Sequence, residues 1–127
     1  MNWTIALIGG LALAAFFLLK RVSFVSTETA RKLLAAGALV IDVRSPEEFR
    51  SERVPSAINI PLGELREILP QRVPDKNQAL LLHCLSGGRS GIAKQLSKSL
   101  GYTNVFNLGS YRRAKHIVTE FGNSRSE

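Results

Sequence analysis

The chain opens with a nearly unbroken hydrophobic stretch, and shorter apolar runs alternate with amphipathic segments after it. Residues 3–19 carry no charged side chain, and Lys20 and Arg21 follow them directly. An uncharged stretch of this length lies at the short end of the roughly 17 to 25 residues that cross a bilayer as a helix. The pattern predicts a transmembrane anchor with its basic flank at residues 1–21, in which Trp3 lies at the opposite membrane interface.

Two other interpretations of this segment fit less well. A cleaved signal peptide normally starts with basic residues and ends at a small-residue cleavage site, and neither feature is present here. A helix of the soluble core would need a polar outer face. Because the flanking charges follow the helix, the positive-inside rule predicts a single-pass protein of the inner (cytoplasmic) membrane, with the catalytic domain in the cytoplasm. The four-residue spacing of Ala6, Gly10 and Ala14 would allow weak self-association of this helix.

After a predicted tether at residues 22–25, the segment 26–121 alternates between strand and helix patterns. Short apolar runs predict strands at 38–43, 57–60, 79–83 and 104–107. Amphipathic spacing and capping residues predict helices at 27–36, 62–69, 90–100 and 110–121, and a capped helical turn at 45–49. This alternation predicts an α/β domain with a mostly parallel central sheet and helices on both faces. Residues 122–127 are predicted to be a polar tail.

The net charge of the chain limits the classes of partner that we expect. The net charge is +7, and no charged residue precedes Lys20. A basic surface suits anionic lipid headgroups or a small anionic substrate. Nucleic acid is not an expected partner, because aromatic residues are not interleaved with the basic ones and no recognition motif is present. The single cysteine excludes an intramolecular disulfide. No metal-ligand spacing occurs, so neither a metal nor another cofactor is predicted.

That cysteine, Cys84, ends the third predicted strand and begins a glycine-rich loop that leads into a helix. Ligands of parallel sheets bind beyond the carboxyl ends of the strands. Backbone N–H groups near a helix start lower the pKa of a thiol, and Arg89 provides a planar cation for an oxyanion. A buried cysteine without chemistry is the alternative, but the loop composition favours a reactive thiolate. The other predicted contributors to substrate binding are Leu85, Ser86, Gly87, Gly88 and Ser90.

The loop from Cys84 to Arg89, which continues into Ser90, resembles the active-site loop of single-domain rhodaneses, the thiosulfate sulfurtransferase family. The segments 40–49, 54–61 and 101–108 are similar to further blocks of that family in the same order. The resemblance covers residues 25–108 and implies a rhodanese-like domain. It implies that Cys84 accepts sulfane sulfur from a small anionic donor such as thiosulfate and passes it, as a persulfide, to a thiol or protein acceptor. It also implies that Arg44 lies near the loop and contributes to substrate binding, and that Asp42 is structural.

Two other functions remain open from the sequence. The first is a persulfide carrier or redox-sensing module at the membrane, which would be loaded without turning over. The second is a phosphatase, since phosphatases of related fold place five residues between cysteine and arginine. This chain has four residues between Cys84 and Arg89, and a shorter cradle leaves less room for phosphate. His83 is not expected to act as a base, because strand neighbours point to opposite faces.

The chain departs from the family pattern at two places near the predicted site. Leu85 occupies a position that is often basic or polar in the family, which favours an apolar or protein-bound donor. After Leu108 the family usually has two glycines and an aromatic residue. Here a single glycine, Gly109, is followed shortly by a basic patch. The basic patch consists of Arg112, Arg113 and Lys115.

Overall fold

A computed structural model describes residues 2–22 and 24–126. Its sheet contains β1 (Leu39–Asp42), β2 (Ile58–Asn59), β3 (Leu80–His83) and β4 (Val105–Gly109). Its helices are α1 (Trp3–Val22), α2 (Thr27–Ala35), α3 (Pro46–Ser51), α4 (Leu65–Arg72), α5 (Gly88–Ser99) and α6 (Tyr111–Arg125), with a 3-10 turn at Leu62–Glu64. The strand order is β2-β1-β3-β4, and all pairs are parallel. The predicted α/β fold with a parallel sheet is confirmed.

Two apolar clusters cover the two faces of the sheet. Helices α4 and α5 pack on one face, where Leu69 and Ala93 join Ile41 and Leu82. Helices α2 and α6 pack on the other face, where Ala30, Ala114 and Ile117 join Val40 and Leu81. Successive strand residues point to opposite faces, so both sides of β1 and β3 are apolar. This is the reason that these strands are continuous hydrophobic runs in the sequence.

The strand order places a topological switch point between β1 and β3. The chain moves outward from β1 to β2 and then returns to the other side of β1 to form β3. The connections that leave the carboxyl ends of β1 and β3 therefore diverge, and a crevice between such connections is the usual ligand site of open parallel sheets. Helix α3 follows β1, and helix α5 follows β3.

Several helix boundaries differ from the predicted ones by a few residues, and two differences matter most: the start of α5 and the end of α6. Helix α5 begins at Gly88 rather than Ser90, because Gly87 takes a left-handed conformation with φ of 95° and completes the turn earlier. Arg89 consequently lies in the first turn of α5. Helix α6 continues through Gly122 to Arg125, so most of the predicted polar tail is helical. A glycine ends a helix efficiently when it adopts a positive φ, and Gly122 does not.

The structure of the N-terminal segment differs from two predictions. Within residues 2–22 and 24–126, no helix is long and apolar enough to cross a membrane, so the predicted transmembrane helix is not found. The uncharged residues 3–19, at about 1.5 Å per residue, extend roughly 26 Å, which is less than the ~30 Å hydrocarbon core. The predicted tether at 22–25 is shorter than expected, because Val22 belongs to α1 and Phe24 pairs with Asn107 of β4. The N–H of Val25 donates to the Asn107 carbonyl at 2.9 Å.

Candidate active site

The backbone around Cys84 forms a cradle for its sulfur. The N–H of Gly87 donates to Cys84 Sγ at 3.0 Å, and the Ser90 hydroxyl lies 3.5 Å from the same atom. A register shift between Leu82 and His83 places Gly109 beside the end of β3. The Gly109 carbonyl accepts the N–H of Cys84 at 3.2 Å. The Cys84 backbone is therefore held by β4, and hydrogen-bond donors of its own loop face the sulfur.

These donors change the acidity of the thiol. Burial raises the pKa of Cys84. Hydrogen bonds from the Ser90 hydroxyl and from the N–H groups of Ser90, Gly87 and Ser86 lower it by more, so the pKa lies below its ordinary value. The thiolate is the nucleophilic form of cysteine. The arrangement therefore favours nucleophilic chemistry at Sγ, as the sequence predicted.

The cradle is closed in this structure. Cys84 is 0% exposed, whereas the adjacent Leu85 is 57% exposed. A donor molecule can contact Sγ only if atoms around the loop move, because a sulfur–sulfur bond requires direct approach to the sulfur.

Asn107 organises the loop, although the sequence analysis did not identify it. Its Oδ1 accepts the Ser90 hydroxyl at 2.7 Å and the N–H of Gly109 at 3.0 Å. Its Nδ2 donates to the Gly87 carbonyl at 3.1 Å. The Ser90 hydroxyl has one proton, which serves either Asn107 or the sulfur at a given moment. The sequence feature that could have indicated this role is the amide side chain at the end of an apolar strand, because a buried polar group needs hydrogen-bond partners.

Arg89 is held by an ion pair that crosses the switch point. Its Nη1 and Nη2 donate to Glu48 Oε1 and Oε2 at 2.7 and 3.0 Å. The hydrogen bond from Arg89 is the main reason that the pKa of Glu48 falls to about 2. Glu48 also closes the capping box of α3 with Ser45. Glu48 thus holds the guanidinium of Arg89, the predicted anion-binding group, at the loop, where the Arg89 side chain is 38% exposed. The sequence had indicated Glu48 only as an acidic residue at a helix start.

The other predicted arginine is engaged elsewhere. Arg44 is 4% exposed, and its Nε and Nη2 donate to Asp42 Oδ2 at 2.9 and 2.7 Å. Its guanidinium lies 4.6 Å from the centre of the Tyr111 ring and also donates to the Glu52 carbonyl. Among the described residues, no hydrogen bond joins Arg44 to the cysteine loop. Arg44 therefore pairs with Asp42 at the end of β1, and its predicted contribution to substrate binding stays a prediction.

His83 lies on the opposite side of β3 from the thiol. It is fully buried, its Nε2 is 3.9 Å from Asp42 Oδ2, and its ring is tilted against Tyr111. Burial lowers the pKa of His83, and the charge of Asp42 opposes that shift only in part. A neutral histidine on this face has no route to Cys84 Sγ. Its position agrees with the expectation that it is not the base.

The segment after Leu108 covers the loop in place of the usual glycine pair. Ser86 and Ser110 form an isolated bridge, and the N–H of Tyr111 donates to the Leu85 carbonyl at 3.1 Å. Ser110 also caps α6 by accepting the N–H of Arg113. Gly88, the remaining predicted loop residue, begins α5. In the part of the chain that the structure describes, no cluster of His, Cys, Asp and Glu is arranged to hold a metal ion.

Comparisons with known proteins identify relatives of this chain. The family model described as "Rhodanese-like domain" matches residues 26–115. Thiosulfate sulfurtransferase PspE of Escherichia coli (strain K12) is 46% identical over 72 residues, which cover 57% of this chain and 69% of the relative. The Homo sapiens thiosulfate:glutathione sulfurtransferase is 41% identical over 103 residues, which cover 69% and 89%. The solved structure of the human single-domain sulfurtransferase TSTD1 superposes with a TM-score of 0.63 at 38% identity, covering 72% of this chain and 93% of that one.

Proposed function

We propose that Cys84 of this chain carries sulfane sulfur as a persulfide. The chain belongs to the rhodanese-like domain family and is a sulfurtransferase. The observation that carries the proposal is the Gly87 N–H at 3.0 Å from Sγ, in a loop that lowers the pKa of the thiol. The relatives named for thiosulfate suggest thiosulfate as donor, and the human relative named for glutathione suggests a thiol acceptor.

The first half-reaction transfers one sulfur atom to the enzyme. The Cys84 thiolate attacks the outer sulfur of thiosulfate, and a new sulfur–sulfur bond forms. The original sulfur–sulfur bond of thiosulfate breaks, its electron pair leaves with sulfite, and the enzyme retains a persulfide anion. The total charge of −3 is the same before and after the step. Backbone N–H groups that already face Sγ stabilise both the attacking thiolate and the persulfide.

The second half-reaction returns the enzyme to its starting state. An acceptor thiolate attacks the outer sulfur of the persulfide, and the bond to Sγ breaks with its electron pair on Cys84. The acceptor leaves as a persulfide anion, so the total charge of −2 is the same before and after the step. Because the two reactions share one covalent intermediate, the kinetics are ping-pong. The low pKa of Cys84 helps here too, because a stable thiolate is a good leaving group.

Arg89 contributes electrostatics at the rim of the site. The guanidinium keeps its positive charge while Glu48 fixes its orientation on one side. Its exposed part remains able to attract a dianionic donor. The pairing with Glu48 also limits the net positive charge at the rim. We therefore assign Arg89 to donor capture and orientation.

Mass spectrometry and turnover assays test this function. Incubation with thiosulfate should add about one sulfur, ~32 Da, to the protein, and Cys84→Ser should remove the addition. Steady-state assays with thiosulfate and a thiol should show many turnovers. Loading without turnover would instead indicate a persulfide carrier. A wild-type protein that stays unmodified by thiosulfate would refute the persulfide mechanism, and an aryl phosphate assay then tests phosphatase chemistry.

We also propose that α1 attaches the protein to the cytoplasmic membrane and leaves the catalytic domain in the cytoplasm. The support is the exposure of apolar side chains along residues 3–19, among which Trp3 is 76% and Leu11 70% exposed. A contiguous apolar surface of this kind needs a cover. Self-association through Ala6, Gly10 and Ala14 remains a prediction.

Fractionation and a reporter test the attachment. The full-length protein should remain in the membrane pellet after alkaline carbonate extraction. A periplasm-active reporter fused after the last residue should be silent, whereas a cytoplasm-active reporter should give a signal. Release into the supernatant would refute the attachment, and a periplasmic signal would reverse the orientation.

A further inference from the structure

The aromatic ring of Phe24 lies directly against the back of the cysteine loop. A Cβ atom added to Gly87 would lie 2.5 Å from Phe24 Cζ and 2.6 Å from its Cε1. A Cβ atom added to Gly109 would lie 3.1 Å from Phe24 Cδ2. The ring therefore occupies the space that a side chain at either glycine would fill. Both glycines also have a positive φ, which favours glycine.

These two glycines provide two of the backbone groups that hold Cys84. The Gly87 N–H donates to Sγ, and the Gly109 carbonyl accepts the Cys84 N–H. The Phe24 ring therefore lies against both the residue that donates to the sulfur at 3.0 Å and the residue that holds the Cys84 backbone. A ring that fills this space restricts the left-handed turn at Gly87, which would otherwise be among the most flexible points of the loop.

Phe24 is itself fixed on the edge of the sheet. It pairs with Asn107, and the neighbouring Val25 N–H donates to the Asn107 carbonyl. Arg113 donates to the carbonyls of Val25 and Leu108, and its guanidinium lies 5.7 Å from the centre of the Phe24 ring. The ring is thus held by strand pairing on one side and by an arginine on the other, so it can transmit a restraint to the loop.

We propose that Phe24 is a positioning residue for Cys84, a role that rests on the persulfide function proposed above. It holds the turn at Gly87 so that the N–H faces the sulfur. Phe24 does not contact the reacting sulfur and acts only through the glycines.

The test measures the pKa of the thiol directly, in the full-length protein. Alkylation of Cys84 by iodoacetamide is followed by mass spectrometry between pH 5 and 10 for wild type, Phe24→Ala and Phe24→Leu. Loss of the ring loosens the turn and weakens the donation to Sγ, so the apparent pKa should rise. A rise of half to one pKa unit lowers the thiolate fraction below the pKa by about three- to tenfold. Phe24→Leu retains apolar volume at this position, so its apparent pKa should rise by less than that of Phe24→Ala.

Phe121→Ala is the matched control. Phe121 is also half-buried, and Arg125 lies 5.5 Å from the centre of its ring, but it is on α6 beside Pro55 and Val118 rather than at the loop. It should leave the alkylation profile unchanged. An unchanged profile in Phe24→Ala overturns the proposal, as does an equal shift in Phe121→Ala. If Phe24→Ala does not fold, an unchanged profile in Phe24→Leu overturns it instead. Alkylation needs no sulfur donor, so a failure of thiosulfate loading in wild type remains a separate result.

Discussion

Gly87→Ala is the substitution whose effect the structure defines most sharply. The residue sits at φ of 95°, and an added Cβ would lie 2.5 Å from the Phe24 ring. A left-handed conformation at a non-glycine residue costs about 1–2 kcal/mol. Forcing extra volume into a packed site costs about 1–3 kcal/mol more. Together these terms predict a loss of about 2–5 kcal/mol in the free energy of unfolding.

This loss is large compared with the stability of an ordinary domain, which is about 5–15 kcal/mol. For a domain of about 100 residues, each kcal/mol lowers Tm by about 4–8 °C. We therefore expect Gly87→Ala to lower Tm by at least ~8 °C in thermal denaturation followed by circular dichroism. Sulfur loading from thiosulfate should also fall, because relief of the contact moves the N–H away from Sγ.

The neighbouring glycine gives a close control. Gly88 begins α5, has no positive φ, and an added Cβ would meet nothing nearer than Ser86 Oγ at 3.9 Å. Gly88→Ala should therefore be neutral or stabilising by up to ~1 kcal/mol. Combining Gly87→Ala with Phe24→Ala should recover the part of the loss that comes from the contact, but not the part due to φ. The reasoning is refuted if Gly87→Ala unfolds within 1 °C of wild type, or if the combination recovers nothing.

Three further predictions concern the surroundings of the loop. Glu48→Gln retains the capping box but loses the ion pair with Arg89; we expect a loss of about 1 kcal/mol at pH 7, since the pair is partly exposed. The folded-state pKa of Glu48, about 2, lies below the unfolded value, so this stabilisation is present above about pH 4.5 and disappears as the pH falls toward 2. Urea unfolding of both proteins at pH 7 and near pH 2 checks this, and a difference that persists at the lower pH contradicts it. Asn107→Ala leaves three buried partners without their hydrogen bonds and should lower the loading rate by about tenfold or more, whereas Asn104→Ala, at an exposed amide, should not; equal rates in the two variants contradict the role of Asn107. Deletion of residues 1–19 should yield a folded domain that still loads sulfur, because every buried apolar residue that the structure describes lies at Ala30 or later; absence of a cooperative thermal transition contradicts this.

The sequence predicted the fold because the information it required is local. Apolar runs such as 79–83 form strands covered on both faces, and Ser26, Ser45 and Ser110 each accept a backbone N–H that starts a helix. The position of Cys84 at the end of a strand and before a helix was predicted for the same reason. Periodicity and capping act within a few residues, so they can be recognised without knowledge of the tertiary structure.

Contacts between distant segments required the tertiary structure. Glu48 and Arg89 are 41 positions apart, and they meet because α3 and α5 leave the sheet on either side of its switch point. Asn107 reaches Gly87 across the β3–β4 pair, and its role depends on a register shift that no local pattern indicates. The contact of the Arg44 guanidinium with the Tyr111 ring also joins distant segments, whereas the predicted contribution of Arg44 to substrate binding stays a prediction.

The sequence by itself determined which residues carry the chemistry: one cysteine, a glycine-rich turn and an arginine at a spacing that resembles a known sulfur-transfer loop. The tertiary structure decided how that thiol is held. The donors to Sγ come from the loop itself, but the restraints on those donors come from Phe24 and Asn107, and Glu48 holds the neighbouring Arg89. Spacing along a chain fixes which groups are available, whereas the orientation of an N–H toward a sulfur depends on packing between segments that are remote in sequence.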